Sequence, residues 1–294
     1  MWMQMANGSS IVKFEDLGKP ATVLIEKISA AIEGIYKPTQ IKRIAKAQAE
    51  ADKIKAQAQI DIYNLKQRAL ARFVAEEAKK QENMENITEK ALPLLDKAAD
   101  PQKMEDDWIT NFFDKCRIIS DAEMQNLWAR VLAGEANSPG TFSRRTVNLL
   151  GSLDKKDANL FTELCCFSWR LGSLNPLIYD VSASIYNSRG INFYKINHLS
   201  NIGLISFEPL GGYSAKKLPQ RAIVEYFGFA VLIEFPKKEN TQIDIGKVLL
   251  TQTGEELIKI CGSKPVDGFI DYVLEKWSKA GIITHLISPE KSKF

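Results

Sequence analysis

The sequence has few of the features that usually mark a secreted protein or a membrane protein. It contains four cysteines in 294 residues, and none of them forms a Cys-x-x-Cys pair. A disulfide framework is therefore not expected, and this cysteine usage favours a reducing cytoplasm. No uninterrupted apolar run reaches about 18 residues, so no transmembrane helix is predicted. The first residues lack the basic start and apolar run of a signal peptide.

Motifs for catalysis and cofactor binding are also missing. The sequence has no Walker A loop, no G-x-S-x-G elbow and no Rossmann fingerprint. Its two histidines, His198 and His285, lie outside any metal-ligand spacing. Carboxylate pairs such as Asp106–Asp107 lie near predicted helix starts, where the helix dipole favours them. We expect no cofactor, no metal and no catalytic residue, while an acid pair that assembles only in three dimensions stays an open alternative.

The charge balance gives no strong case for a nucleic-acid partner. The net charge is +3, whereas a dedicated nucleic-acid binder usually shows a larger basic excess or a concentrated patch. One segment departs from this balance, with nine basic residues against three acidic ones between Lys37 and Phe73. We expect a solvated helix face there. Contact with the phosphates of nucleic acid or lipid is the alternative, with Lys42, Arg43 and Lys46 as candidate contacts.

A compact amphipathic helix is predicted in the stretch KPATVLIEKISAAIEGIYKP. Leu24, Ile25 and Ile28 share one helical face with further small and branched apolar residues. We expect this face to dock on a core or on a sister subunit. A helix that lies on a membrane surface through residues 21–36 is the alternative, although its polar face is not rich in lysine or arginine.

The strongest periodic signal follows, in a Gly- and Pro-free segment that begins at Ile41 and is dominated by Ala, Lys, Gln, Glu and Ile. This composition predicts one long helix. Its apolar positions repeat every eleven residues, which favours nearly straight or slightly right-handed pairing of helices. Ala69 and Phe73 continue two of these rows. The helix is expected to pair with another copy or to fold back on its own domain, and the candidate self-association positions are Ala47, Ala51, Ile54, Ala58, Ile62 and Leu65.

A bundle of short helices is predicted from residue 105 to residue 171. Ser120 with Glu123 predicts a capping box for the second helix, and Gly134 predicts its end. Ser143 is the expected cap of the third helix. A fourth helix is predicted to begin at Ser152 or Asp154 and to run through KKDANLFTELCCFSWRL.

Two adjacent arginines stand out in this bundle. Arg144 and Arg145 fall in the first turn of the third helix, where positive charge opposes the helix dipole. We expect an internal acidic partner such as Glu135 or Asp157. An anionic ligand or a partner surface is the alternative.

The last part of the chain is predicted to form a winged-helix-like module. INFYKINHLSNIGLISFE predicts a helix that ends near Gly203 and then a strand, and AIVEYFGFAVLIEF predicts a strand interrupted at Gly228. IDIGKVLLTQTGEELIKIC predicts a strand, a turn and a helix, and a final amphipathic helix, VDGFIDYVLEKWSKAGI, closes the chain. A recognition helix here would offer Lys195, Asn197, His198 and Asn201. Nine basic against eight acidic residues from Asp180 to Gly262 predict weak phosphate binding, so protein contacts are favoured.

The predicted fold class is therefore mainly α, with a C-terminal α+β part. The expected organisation is a flexible N-terminus over residues 1–18, the amphipathic and long helices over 19–100, a helical bundle over 101–175 and the winged-helix-like module over 176–294.

The strings DDWITNFFDKC, NLWARVLAGE and PGTFSRRT resemble a bacterial family known only as a domain of unknown function. The resemblance covers most of residues 15–165 and is weaker towards the C-terminus. No activity transfers with it, so it implies no catalytic residue. The family's members look like accessory genes of bacteria and their mobile elements, which implies a role in defence against phage.

These patterns together predict a non-enzymatic, oligomeric interaction protein in the cytoplasm. It would act as a sensor or adaptor of a bacterial anti-phage system, with a protein effector or a phage component as partner. A nucleic-acid-binding winged-helix regulator and a membrane-peripheral scaffold are the two alternatives.

Overall fold

The computed structural model describes residues 18–32, 65–239 and 241–287. The chain divides into two compact units, residues 1–148 (unit 1) and residues 149–294 (unit 2). The division falls inside the predicted helical bundle of residues 101–175. Most positions of the predicted flexible N-terminus lie outside the described residues. The same holds for several candidate contact and self-association residues, namely Lys42, Arg43, Lys46, Ala47, Ala51, Ile54, Ala58 and Ile62.

The described part of unit 1 is helical. Its helices are α1 (Lys19–Ala31), α2 (Leu65–Ala91), α3 (Asp106–Cys116), α4 (Ala122–Asn137) and α5 (Arg144–Leu150), which ends in unit 2, and short 3-10 turns lie at Leu92–Leu94 and Pro101–Lys103. The predicted amphipathic helix is confirmed as α1. The predicted long helix is confirmed as α2 over its described residues, and it extends to Ala91.

The apolar face of α1 is occupied within unit 1. Leu24 and Ile28 are fully buried, and Ile25 is nearly so. The helix packs against α3 and against the turn at Pro101–Lys103. The expectation that this face docks on a core is therefore met. Within Lys19–Ala31 this packing leaves no free apolar face that could lie on a membrane surface. Among the described residues, no helix has both the length and the apolarity that a bilayer-crossing segment needs.

Aromatic rings join α3 to α4. Phe112 stacks on Trp108 and meets Trp128 edge to face, and both pairs of ring centroids lie 5.1 Å apart. The Trp108 indole N–H donates to the backbone oxygen of Phe142 at 2.6 Å, which ties the loop after α4 to the same cluster. Because such rings bury large areas and prefer these geometries, the cluster is the centre of the unit 1 core.

Two predicted boundaries of α4 are wrong. The N-cap is Asp121 and not Ser120, because the Asp121 carboxylate accepts the backbone N–H groups of Glu123 and Met124, each at 3.0 Å. The Ser120 hydroxyl instead exchanges hydrogen bonds with the Asn83 side chain. Gly134 does not end the helix, which continues to Asn137. A Cβ at position 134 would lie 2.7 Å from the Phe142 ring, so glycine serves close packing here.

Unit 2 has a mixed α+β fold. Its helices are α6 (Lys155–Cys165), α7 (Ser184–Asn187), α8 (Phe193–Asn201), α9 (Gln252–Ile258) and α10 (Phe269–Lys279). Its strands are β1 (Ser168–Leu171), β2 (Ser173–Pro176), β3 (Ile205–Phe207), β4 (Tyr213–Lys216), β5 (Arg221–Tyr226), β6 (Phe229–Glu234), β7 (Gln242–Gly246), β8 (Val248–Leu250) and β9 (Ile283–Ile287). The described strands form an antiparallel sheet in the order β2-β1-β5-β6-β9 and the separate pairs β3-β8 and β4-β7.

The sequence prediction for unit 2 is partly right. The helix and strand around Gly203 are confirmed as α8 and β3. The helix predicted after residue 242 is confirmed as α9, but the strand before it is divided into β7 and β8. Gly228 marks a tight hairpin between β5 and β6. Both loop residues have positive φ, 45° at Phe227 and 85° at Gly228, as a type I′ turn requires.

Two predicted helices of unit 2 end differently from the prediction. The fourth bundle helix stops at Cys165, because Ser168–Leu171 pairs with β2 and β5 as a strand. The final amphipathic helix does not close the chain. It is α10, and β9 follows it and pairs with β6 along its whole length.

An aromatic cluster fills the core of unit 2. Trp169 stacks on Tyr226 and meets Trp277 edge to face, with ring centroids 5.2 Å and 5.0 Å away. The Tyr226 hydroxyl donates to the backbone oxygen of Cys166 at 2.7 Å and accepts the Val266 N–H at 2.7 Å. Burial raises the pKa of Tyr226 to about 12, so this hydroxyl is a neutral link between β5 and the α9–α10 loop.

Phe112→Ala is expected to lower the free energy of unfolding of unit 1 by about 3–5 kcal/mol, because it removes a fully buried ring and leaves a cavity. Chemical denaturation followed by tryptophan fluorescence measures the loss. The control is Ile118→Ala, since Ile118 is 64% exposed. Equal losses for the two variants would contradict this account of the core.

Candidate interaction surface

The C-terminal half of α2 is anchored in unit 1. Ile87 is fully buried. The Asn83 amide donates to the backbone oxygen of Arg117 at 2.8 Å, and the Lys90 ammonium donates to the Gln125 side chain at 2.9 Å. Since α2 also packs along α4, this half of the helix has a fixed position within the unit.

The N-terminal half of α2 is exposed. Between residues 67 and 77 all side chains are exposed except Val74, which is half-buried. Leu70 and Phe73 are 63% and 59% exposed. Side chains three or four positions apart lie side by side on a helix. Leu70, Phe73 and Val74 therefore form one apolar strip, which we call the α2 stripe.

Charged residues occupy the other sides of this part of α2. With about 3.6 residues per turn, Arg68 and Arg72 lie on the side of the helix away from the α2 stripe. Within the helix, the Arg72 guanidinium lies 3.7 Å from the Glu76 carboxylate. The α2 stripe is thus an apolar strip on a helix whose opposite side is charged.

The sequence anticipated part of this surface. Ala69 and Phe73 continue two of the eleven-residue rows, and both are exposed. Leu65 is the first described residue of α2, and its side chain lies outside the described part. The sequence prediction missed Leu70 and Val74. Their spacing of four residues was the available signal, but it is equally typical of a buried face.

Glu135 holds the loop between α4 and α5. Its side chain is buried, at 3% exposure. One carboxylate oxygen accepts the Gly140 N–H at 2.6 Å, and the other accepts the Phe142 N–H at 2.8 Å. Hydrogen bonds to a charged acceptor are stronger than neutral ones. The loop that contains Pro139 and Gly140 therefore folds over a buried carboxylate.

Arg144 forms an ion pair with Asp107, an acid that the sequence did not suggest as its partner. Its guanidinium lies 3.7 Å from the Asp107 carboxylate at the start of α3, and both side chains are well exposed. Asp157, in turn, accepts the Asp154 N–H at 3.2 Å and lies 2.7 Å from the His198 imidazole. The Arg145 side chain is exposed as well. An exposed pair of this length contributes little to stability, so Arg144 and Arg145 remain accessible to a partner.

Metal binding finds no support among the described residues. Within residues 18–32, 65–239 and 241–287, no three His, Cys, Asp or Glu side chains are grouped so that they could hold a metal ion.

Glu135→Gln is expected to lower the free energy of unfolding of unit 1 by about 2 kcal/mol, because the amide removes a buried charged acceptor and turns a donor towards a backbone N–H. Arg144→Ala is expected to change it by less than about 1 kcal/mol. Urea denaturation of both variants measures the difference. A larger loss for Arg144→Ala than for Glu135→Gln would refute the assignment of roles in this loop.

Comparison with known proteins places most of the described chain in one family. The family model described as Protein of unknown function (DUF2806) matches residues 67–274. The resemblance seen in the sequence is confirmed, and the match extends through most of unit 2, whereas residues 15–66 lie outside it. No curated protein and no solved structure was found to match the chain. Because the family model matches more than half of the sequence, the chain belongs to the DUF2806 family of proteins of unknown function.

Proposed function

We propose that the chain is a non-enzymatic interaction protein that forms oligomers through α2. The observation that carries the proposal is the α2 stripe, which is exposed on a helix whose other end is anchored. Helices in water derive most of their stability from packing of an apolar face and little from their own hydrogen bonds. Burial of one large apolar side chain contributes about 1.5–3 kcal/mol. A partner helix on the stripe would therefore stabilise both helices.

The dimensions of the stripe favour an antiparallel second copy of α2. In an antiparallel pair with its two-fold axis near Val74, Leu70 of each copy lies level with the small residue Ala78 of the other, so the larger side chain has room to pack. Arg68 and Arg72 lie on the side of α2 away from the stripe, so the contact between the two copies is apolar.

Replacing Leu70 and Phe73 together by glutamate is expected to dissociate the oligomer, because two charges would have to be buried in each copy. Size-exclusion chromatography with light scattering measures the mass, and far-UV circular dichroism confirms that the helices persist. Ala75→Glu is the matched control, since it adds the same charge to an exposed position on the opposite side of α2. We expect the control to keep the mass of the wild-type protein.

Two results would refute self-association through the stripe. The first is a wild-type protein that has the mass of one chain at every concentration. The second is a folded Leu70→Glu/Phe73→Glu variant that keeps the mass of the wild-type oligomer.

The proposed partners beyond a second copy are a protein effector or a phage component. The proposed setting is a sensor or adaptor role in bacterial anti-phage defence. Support for this setting comes from the resemblance of the DDWITNFF, NLWARVLAGE and PGTFSRRT strings to a bacterial family. The members of that family look like accessory genes of bacteria and their mobile elements. Arg144 and Arg145, both exposed, offer a positively charged contact for such a partner.

A nucleic-acid-binding, winged-helix-like role for unit 2 is the second candidate. Helix α8 presents exposed Tyr194, Lys195, Asn197 and His198 on the side away from its buried residues, and Tyr194 is 82% exposed. The order of α8, β3, β8 and α9 along the chain, with β3 paired to β8, supports a helix followed by a wing. In such modules the exposed helix enters the major groove.

The second candidate predicts a gel shift of duplex DNA at low salt that Tyr194→Ala with Lys195→Ala abolishes. The principal proposal predicts no shift at low salt with duplex or single strands. A salt-dependent shift that requires these two side chains would therefore favour the second candidate. A shift that the double variant leaves unchanged would exclude α8 as its cause.

A further inference from the structure

The five-stranded sheet of unit 2 has an open edge at β9. The sheet ends in β2 on one side and in β9 on the other. Strand β2 packs against β7 and β8, and the Lys247 N–H donates to the backbone oxygen of Ile178 at 2.7 Å just beyond it. Strand β9 pairs with β6, and within the part of the chain that the structure describes no strand pairs with its other side. That side offers backbone N–H and C=O groups to a further strand.

Strand β9 lacks the features that usually keep an edge strand from pairing. Such strands are commonly protected by charged side chains, by prolines or by bulges. The sequence of β9 is ITHLI, without Asp, Glu, Lys, Arg or Pro. Its pairing with β6 runs residue by residue without a shift in register. An edge of this kind is expected to be covered by another strand in solution.

One face of the sheet carries an apolar band that reaches this edge. Side chains of residues that pair across strands lie on the same face. Leu232 pairs with Ile223 on β5 and with His285 on β9, and Ile283 and Ile287 flank His285 on that face. We call this face the outer face. Ile223 is 66% exposed, and the three β9 side chains are exposed as well.

The other face of β9 is also partly uncovered. Thr284 and Leu286 lie on the face that carries Val231, which pairs with Leu286. Val231 is fully buried, whereas Leu286 is 56% exposed. Helix α10 packs against β9 but leaves Leu286 open at the edge. A strand added to β9 would therefore cover apolar side chains on both faces.

The charged side chains of the outer face are paired within the sheet. The Arg221 guanidinium lies 3.0 Å from the Glu234 carboxylate, and the Arg170 guanidinium lies 3.8 Å from the Glu225 carboxylate. These pairs lie on β1, β5 and β6, whereas β9 contributes apolar side chains, a threonine and a histidine. A charged partner strand would find no counter-charge on β9. An uncharged, apolar strand matches it, and β9 of a second copy is such a strand.

We propose that β9 pairs antiparallel with β9 of a second copy, so that the two sheets join into one continuous sheet. A two-fold contact requires a surface that matches itself. With the axis at His285, this residue faces its own counterpart. Ile283 then lies opposite Ile287 of the second copy, and Thr284 lies opposite Leu286. All five residues of β9 find a partner, and the two outer faces form one apolar band across the axis.

The size of this interface sets its expected strength. A strand of five residues is about 17 Å long, so the contact is small beside the standard interface of about 800 Å² per partner. We therefore expect a dimer that forms at micromolar or higher concentration of the chain. The interface lies in unit 2 and is separate from the α2 stripe.

The test uses the full chain with Leu70→Glu and Phe73→Glu, so that the α2 stripe does not contribute to the mass. Sedimentation equilibrium is expected to show a mass that rises from one chain to two with concentration. A mass of one chain up to the highest soluble concentration would overturn the proposal. The two interfaces fail separately, because loss of β9 pairing leaves the stripe contact of the wild-type protein and loss of the stripe leaves β9 pairing.

Charges at the two-fold axis test the register. In the same background, His285→Glu and His285→Lys each place two like charges directly opposite, which is expected to raise the dissociation constant roughly fivefold or more. An equimolar mixture of the two variants is expected to dimerise again, because glutamate then faces lysine. Ile223→Glu is the control, since it adds a charge to the same face two strands from the edge. Undiminished dimerisation of His285→Glu, or a mixture that stays at one chain, would overturn the proposal.

A cross-link tests the contact without charge. Directly opposite Cα atoms in an antiparallel pair lie about 4.5–5.5 Å apart, within the range of about 4.4–6.8 Å that a disulfide spans. Mild oxidation of His285→Cys is therefore expected to give a covalent dimer, which peptide mapping assigns to the substituted position. The wild-type protein and the exposed control Ile223→Cys are expected to stay single chains. No cross-link in His285→Cys, or equal cross-linking of Ile223→Cys, would contradict pairing through β9.

Discussion

The contact between the C-terminal half of α2 and the α3–α4 core is the constraint on which the proposed function depends. Ile87 is fully buried, and Asn83 and Lys90 hydrogen-bond to groups that follow α3 and line α4. Because these contacts fix one end of a helix of 27 residues, the other end presents Leu70 and Phe73 to solvent. A single anchored helix thus provides both part of the unit's core and an exposed apolar strip.

Local patterns predicted the elements of the fold better than their ends. The periodicity of α1, the composition of α2 and the glycine of the β5–β6 hairpin each act within a few residues, so they were readable from sequence. The end of α4 was not, because Gly134 serves a close contact with Phe142 that only the folded loop creates. Ser120 and Asp121 are both good N-caps, and the choice between them follows from the bond of Ser120 to Asn83. Strand β9 was missed because its pairing with β6 joins distant residues.

The candidate sites, too, were predictable only where the signal lies within a few residues. The eleven-residue rows led to Ala69 and Phe73, which the structure exposes. The partner of Arg144 is Asp107 on another helix, and no local pattern identifies such a pair. Contacts of this kind form through tertiary packing, so the spacing of residues along the sequence does not predict them.

Self-association through the α2 stripe is the central claim, and hydrogen–deuterium exchange of the full chain tests it most directly. Exposed helix amides exchange through local opening, and a partner helix on the stripe would suppress that opening. The account predicts that protection of the amides between residues 67 and 77 rises with protein concentration, while protection around Ile87 does not change. Exchange in residues 67–77 that is fast and independent of concentration would contradict it.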